Sequence, residues 1–367
     1  MRLSRLRNLL TLAVATCGLT ACSWMEEDLS DCPNGLDVYF KYDYNIQRAN
    51  MFADHVGAVT VYVFDEDNRF VTQRSAAGSP LKAHDFHIHF AGNELAPGRY
   101  SLLALAGQKD YDAMLAAPGA KFRRTQLQKG DDISKLLVTL DRGEATDEGL
   151  SPVEHEKVPL DTLWHALNIQ TVTLTPDNIV DGVYAAVRDT LSLTRDTKQL
   201  NITLRQTEDE GEMLAKNYDV RIIDRNGLLH HDNMPDAEDS RLLYTPYATW
   251  NTDAADDGMG STPGAAGLQA AHFELFTSRL MLHEDDTPDA RLIITNRTNG
   301  EEVVNIDLPY YLAMDRDKFG FTYSAQEFLD REYRYNMSFF LKGDKWQYMV
   351  LSIGILDYTV RIQNVNL

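Results

Sequence analysis

Ala58-Val59-Thr60-Val61-Tyr62-Val63-Phe64, followed by Asp65-Glu66-Asp67-Asn68 and then Arg69 to Gln73, decides the fold class of this chain. β-Branched and aromatic side chains favour a pleated, half-buried surface, and the acidic cluster with Asn68 supplies turn chemistry between the two runs. The reading is a β-hairpin. Outward from it, Leu36 to Tyr42 comes before, and Phe86 to Phe90 and Arg99 to Leu105 come after, divided by Gly92-Asn93 and Pro97-Gly98. Lys135 to Leu140 closes the set, and Asp110 to Ala117 reads as a short helix. Strands do not alternate with long helices, which argues against a parallel α/β sheet and for an antiparallel sandwich over residues 36–145.

Residues 141–163 are polar and contain Gly143, Gly149, Pro152 and Pro159, so a domain boundary is expected there, with 146–162 as linker. A second β-sandwich is expected over 163–367. Its strand candidates are Ile169 to Leu174, Tyr184 to Leu193, Leu200 to Leu204, Tyr218 to Ile223 and Phe273 to Leu282. Arg291 to Thr295, Val303 to Leu308, Tyr333 to Leu341 and Tyr348 to Leu356 complete them. Asn251 to Gly267, rich in Ala, Asp and Gly, reads as a long loop.

The N-terminus has a different character. Arg2, Arg5 and Arg7 precede an apolar run from Leu9 to Leu19, the pattern of a secretory signal over residues 1–21. At roughly 11 residues the run falls short of the ~20 that span a bilayer. Leu19-Thr20-Ala21-Cys22 resembles the bacterial lipobox, which implies that the mature chain starts at Cys22 with lipid on its sulfur. Several acyl chains hold a protein at a membrane far better than one. Residues 22–35 are acidic and aperiodic, a tether between lipid and fold. With Cys17 lost and Cys22 acylated, Cys32 remains alone and no intramolecular disulfide can form.

The chain has 35 basic and 55 acidic side chains, and signal removal makes the balance more negative still. Nucleic acid is excluded as a partner because no clustered basic footprint exists to meet phosphates. His84, His87 and His89 raise a metal reading, but Phe86, Ile88 and Phe90 alternate with the histidines and make them the solvent side of a strand. His230-His231-Asp232 lacks a further ligand, so no metal site is assigned. There is no Gly-x-Ser-x-Gly turn and no phosphate-cradling loop. No enzyme activity, catalytic residue or cofactor is expected.

A family resemblance runs through most of the mature chain. Asp31-Cys32-Pro33, Leu36 to Tyr42 and Val61-Tyr62-Val63-Phe64-Asp65, in this order after a lipobox, resemble the start of FimB-like fimbrial anchor lipoproteins of Bacteroidetes. Leu163-Trp164-His165, Leu193-Thr194-Arg195-Asp196-Thr197, Phe276-Thr277-Ser278-Arg279-Leu280 and Tyr358 to Leu367 are similar to later family segments, with Tyr358 where members commonly have Trp. The resemblance implies two tandem transthyretin-like antiparallel β-sandwiches and a lipid-anchored subunit at the base of type V fimbriae. It further implies stalk subunits as partners and a surface-exposed place on the outer membrane. A fimbrial tip adhesin or a glycan-binding surface lipoprotein is the alternative. Leu356, Tyr358, Val360 and Ile362 put four apolar side chains on one face of a C-terminal strand. That strand is either the last of its own sheet or a contact for a neighbouring subunit by β-augmentation.

Overall fold

The computed structural model describes residues 35–168, 170–175, 179–180, 183–207, 213–253, 269–314, 316, 322–353 and 360–363. Strands dominate. The first part supplies β1 (Gly35–Lys41), β2 (Ala58–Phe64), β3 (Phe70–Ala77), β4 (His87–Ala91) and β5 (Gly98–Gly107). Short strands follow: β6 (Phe122–Arg124), β7 (Val138–Leu140), β8 (Leu150–Pro152), β9 (Trp164–Leu167) and β10 (Val172–Leu174). After them come β11 (Ile179–Val180), β12 (Val183–Tyr184), β13 (Val187–Ser192) and β14 (Thr194–Arg195). The next group is β15 (Lys198–Gln206), β16 (Tyr218–Asp224), β17 (Leu228–Leu229), β18 (Arg241–Tyr244), β19 (Ala248–Asp253) and β20 (Gln269–Thr277). The last are β21 (Arg291–Asn296), β22 (Glu302–Asp307), β23 (Arg334–Lys342), β24 (Lys345–Ile353) and β25 (Val360–Gln363).

The hairpin read from sequence is β2 with β3, paired antiparallel from Ala58 opposite Ala77. β5 flanks β2 on its other side, and the full sheet runs β14-β9-β5-β2-β3 with β10 also on β5. A second sheet, β13-β1-β4, covers one face of it. Val59, Val61 and Val63 of β2 and Leu102, Ala104 and Ala106 of β5 meet Leu36, Val38, Ile88 and Phe90 in that core. The intervening side chains Tyr62, Phe64, Leu103 and Leu105 face the other way and are equally buried, in a second core. The side-chain period of two therefore puts β2 and β5 between two apolar layers.

That second core belongs to a sandwich of β19-β20-β15-β23-β24-β25 over β22-β21-β16-β18-β8. Leu200, Ile202, Phe273, Met337 and Phe339 from one sheet meet Val220, Ile222, Leu292 and Ile294 from the other. A small sheet, β17-β7-β6, packs its Phe122, Val138, Leu140 and Leu229 against the same core.

Two expectations need correction. Residues 146–162 do not separate the sandwiches: β8 pairs with β18, and Val153 and Leu160 enter the second core. Residues 164–195, expected in the second sandwich, return to the first, where β9 and β10 pair with β5, and β13 with β1. The chain thus crosses the junction repeatedly, because apolar content makes a strand without naming its sheet partner. The sheets are also not purely antiparallel, since β1–β13, β15–β23 and β18–β8 are parallel. Each joins strands far apart in sequence, as parallel pairing requires a crossover.

Four short helices complete the described fold: α1 (Phe52–His55), α2 (Tyr111–Leu115), α3 (Leu308–Ala313) and α4 (Ala325–Arg331). Ser324 starts α4 by accepting a hydrogen bond from the Glu327 amide. Its far end decides the chemistry of the junction.

Candidate functional site: a buried polar junction and an edge strand

Three segments singled out in the sequence meet between the sandwiches: Leu163-Trp164-His165, Leu193 to Thr197 and Phe276 to Leu280. Arg195, Asp196, Thr197, Lys198, Thr277, Ser278 and Arg279 are all buried. Charge is rarely buried without a partner, because desolvation costs more than most contacts return. Here the partners come from other elements. Lys198 Nζ donates to the carbonyl oxygens of Arg195 (3.0 Å), Leu329 (2.5 Å), Asp330 (3.3 Å) and Glu332 (2.9 Å). Three of those carbonyls lie at the C-terminal end of α4, where helix geometry leaves acceptors unpaired and a cation is favoured. Lys198 therefore ties β15 to α4.

Arg279 lies beside it. Its Nε and Nη2 donate to the two carboxylate oxygens of Asp330 at 3.0 and 2.9 Å, and Nη1 donates to the Asn233 carbonyl at 2.5 Å. Asn233, held at a φ of 68° that Asn tolerates better than most residues, donates from Nδ2 to Asp196 at 2.7 Å. Burial works against the Arg279 charge, but the bidentate bond with Asp330 outweighs it and the guanidinium is held above its usual range. Burial pushes the Asp196 and Glu332 carboxyls up and the Lys198 ammonium down.

Aromatic rings close the side toward the first sandwich. The Arg195 guanidinium sits 3.9 Å from the Tyr333 ring centroid and 5.5 Å from that of Trp164. Trp164 meets Tyr42 edge-on at 5.9 Å. His165 is hydrogen-bonded through Nε2 to the His231 carbonyl at 2.8 Å, and burial drives it down to about 4, so it is neutral at pH 7. The arrangement joins elements from both sandwiches. Lys198, Asn233, Asp330 and Glu332 were not singled out in the sequence. Only Asp330 had a local signal, a charge set directly behind the apolar pair Phe328-Leu329.

Other sequence candidates fall elsewhere. Cys22, Leu356 and Tyr358 lie outside the described residues. Val360 and Ile362 stand on β25, opposite Leu351 and Met349 of β24, so this strand forms the edge of its own sheet. His89 Nδ1 lies 2.7 Å from Asp37 Oδ1, with His87 Nε2 3.7 Å from the same oxygen. Among the described residues no group of three or more His, Cys, Asp or Glu side chains is arranged to hold a metal ion. No helix among them is long and apolar enough to cross a membrane.

The sequence profile of the fimbrillin-A associated anchor proteins Mfa1 and Mfa2 matches residues 29–364. This chain belongs to that fimbrial anchor family. The family expectation drawn from the sequence therefore holds. Among solved structures, a candidate adhesin from Bacteroides thetaiotaomicron is 28% identical, with a TM-score of 0.71, over 92% of this chain and all of its own. A candidate polysaccharide-binding protein from the same organism is 28% identical, with a TM-score of 0.68, over 90% of this chain and 98% of its own. The fimbrial anchor protein Mfa2 from Porphyromonas gingivalis shares the fold at 15% identity, with a TM-score of 0.59, over 91% of this chain and 100% of its own. No curated protein shows significant sequence similarity.

Proposed function

We propose that this chain is the base subunit of a fimbrium, held at the outer membrane by lipid on Cys22 and exposed at the cell surface. Membership of an anchor family carries the reading. Leu19-Thr20-Ala21-Cys22 supports it, because a permanently acylated terminus retains a protein at the membrane, whereas a tip subunit must leave with the growing fibre. The role is structural and needs no catalysis. Immunogold labelling of intact fimbriae should place the chain at the base; label confined to tips would refute the assignment. Metabolic labelling with an alkyne fatty acid should mark the wild type and not Cys22→Ala.

The partners under this reading are stalk subunits, and their contact is the C-terminal strand with Leu356, Tyr358, Val360 and Ile362. Strand addition at a sheet edge gives affinity through backbone hydrogen bonds and register through alternate side chains. Val360→Asp with Ile362→Asp should abolish stalk binding while the protein still melts cooperatively. Loss of the cooperative melt would assign the strand to its own core, and a folded double variant that still binds stalk would exclude the contact.

A second reading, polysaccharide binding at the cell surface, is supported by the 28% identity to the candidate polysaccharide-binding protein over nearly its whole length. The two are compatible in one surface protein.

A further inference from the structure

The chain has four tryptophans, and their surroundings differ. Trp164 is fully buried, and Trp346 packs edge-on to Phe339 at 5.6 Å. Trp24 lies outside the described residues. Trp250 stands on β19, the edge of its six-stranded sheet, and is 41% exposed. A singly exposed aromatic is ordinary on a protein surface, and what sets Trp250 apart is how its ring is held.

Its orientation is fixed from below. Trp250 lies opposite His272 of β20, and the two rings stack at 5.1 Å between centroids with an interplanar angle of 11°. Both nitrogens of that imidazole are engaged, Nδ1 with Thr203 Oγ1 at 3.1 Å and Nε2 with Thr252 Oγ1 at 2.7 Å. Burial, with Arg205 adding to it, holds His272 below its usual range, so the ring is neutral and one nitrogen accepts while the other donates. The indole therefore rests on a clamped plate.

Around Trp250 this sheet face is polar in ordered rows, while toward its far side Phe340 and Val350 are buried beside Tyr348. Two residues along each strand from the Trp250–His272–Thr203 row, the register brings Glu274, Asn201 and Asn336 side by side. Asn201 Nδ2 donates to Asn336 Oδ1 at 2.7 Å. In the following row the exposed Arg334 donates from Nε to Gln199 Oε1 at 3.1 Å. One flat aromatic beside a carboxylate, amides and a guanidinium is a poor match for a protein interface core, which needs a contiguous apolar centre depleted in charge. It matches a sugar, whose ring C–H groups suit the electron-rich indole face and whose hydroxyls both donate to carboxylates and accept from amides and guanidinium.

We infer that this outer sheet face binds a carbohydrate chain, with Trp250 stacking on a pyranose ring and Glu274, Asn201, Asn336 and Arg334 hydrogen-bonding its hydroxyls. The inference rests on the polysaccharide-binding reading and gives it a place, independent of the lipid and of the C-terminal strand.

The test is native affinity electrophoresis of the detergent-solubilised full chain through gels containing yeast mannan, arabinoxylan or gastric mucin. Wild type should be retarded by at least one of these. Trp250→Ala should weaken that apparent affinity about tenfold, as expected for loss of one aromatic stack, and Trp250→Phe should retain part of it. Asn336→Ala, which leaves the plate untouched, should weaken it less, and all variants should melt with wild type. Failure of wild type to bind any of the three polymers overturns both the site and the glycan reading. Equal retardation of wild type, Trp250→Ala and Asn336→Ala overturns the site alone and leaves the reading standing. Should Trp250→Ala misfold, Trp250→Phe and Asn336→Ala decide the matter.

Discussion

Lys198 and Trp250 sit in the same six-stranded sheet, one buried and the other exposed. A buried cation is an informative exception to burial by polarity, and the exposed indole is informative through the ring that holds it. Their surroundings separate them. Lys198 has all its partners inside the chain, four carbonyl oxygens, and so belongs to stability. Trp250 has one face on His272 and the other open, and so has capacity left for something outside the chain. An exception completed internally holds the molecule together, whereas one completed only in part is where recognition can occur.

The largest effect that would break this comparison is at the junction. Lys198→Met keeps most of the side-chain volume but leaves carbonyl oxygens unpaired and the carboxylates of Asp196, Asp330 and Glu332 with less compensating charge. Removing one partner of a buried charge network costs about 3–5 kcal/mol, and guanidinium denaturation should read a loss of that order. A variant as stable as wild type would show that the network contributes nothing to joining β15 and α4.

A somewhat smaller effect tests whether the two cores act as one. Leu102 and Leu103 are neighbours on β5 but point into different cores. Leu102→Ala and Leu103→Ala should each cost about 2–5 kcal/mol. Because β2 and β5 contribute to both cores, each change should move a single transition followed by both near- and far-ultraviolet circular dichroism. Two separable transitions, each sensitive to only one variant, would make the sandwiches independent.

The pH dependence offers a finer cut. His165 is lowered from 6.5 to about 4 by burial, so between those values the unfolded chain binds a proton that the folded chain refuses. Stability from this residue is therefore complete above pH 6.5 and is lost as pH falls toward 4, by at most about 3 kcal/mol. Asp196 and Glu332, raised by burial, act with the opposite sign and lose stability as pH rises through their range. The readout is accordingly the difference between wild type and His165→Gln in denaturation midpoint at pH 7 and pH 4.5. A difference that does not change with pH would mean that His165 takes up its proton as readily in the fold as in the unfolded chain.

The strands were legible because alternation and turn residues are local. Leu36 to Tyr42 and Ala58 to Phe64 fell within a residue of β1 and β2, while β3 runs four residues beyond the expected end at Gln73, to Ala77. What failed was partnership. Ala58–Phe64 is apolar at every position but Thr60, a sign of burial on both faces, and the hairpin reading left that second face unexplained. Gly143, Gly149, Pro152 and Pro159 looked like a linker, yet Leu150 and Val153 between them, and Leu160 and Leu163 just after, are buried. Buried charge was less legible still. Nothing adjacent to Lys198 distinguishes it from a solvated lysine, since its carbonyl partners around α4 lie more than 130 residues away. Trp250 was visible as a tryptophan, but exposure is a property of the fold and not of the residue.

The smallest expected effect completes the contrast. Trp250→Ala removes a large aromatic from an edge strand, and if its role were to cover the sheet, the cost would approach that of a core aromatic, about 3–5 kcal/mol. The geometry argues otherwise. His272 is held by Thr203 and Thr252 independently of the indole, and β19 keeps its backbone pairing to β20 from Ala248 to Asp253 whatever side chain stands at 250. Only the stacking contact and the half of the ring already covered are lost, so the denaturation midpoint should shift by no more than about 1 kcal/mol, near the value of a single aromatic pair. A loss comparable to that of Lys198→Met would place Trp250 with the internal framework and remove the distinction between the two residues. A near-silent variant would leave the indole without a structural duty, its role to be sought in binding rather than in folding.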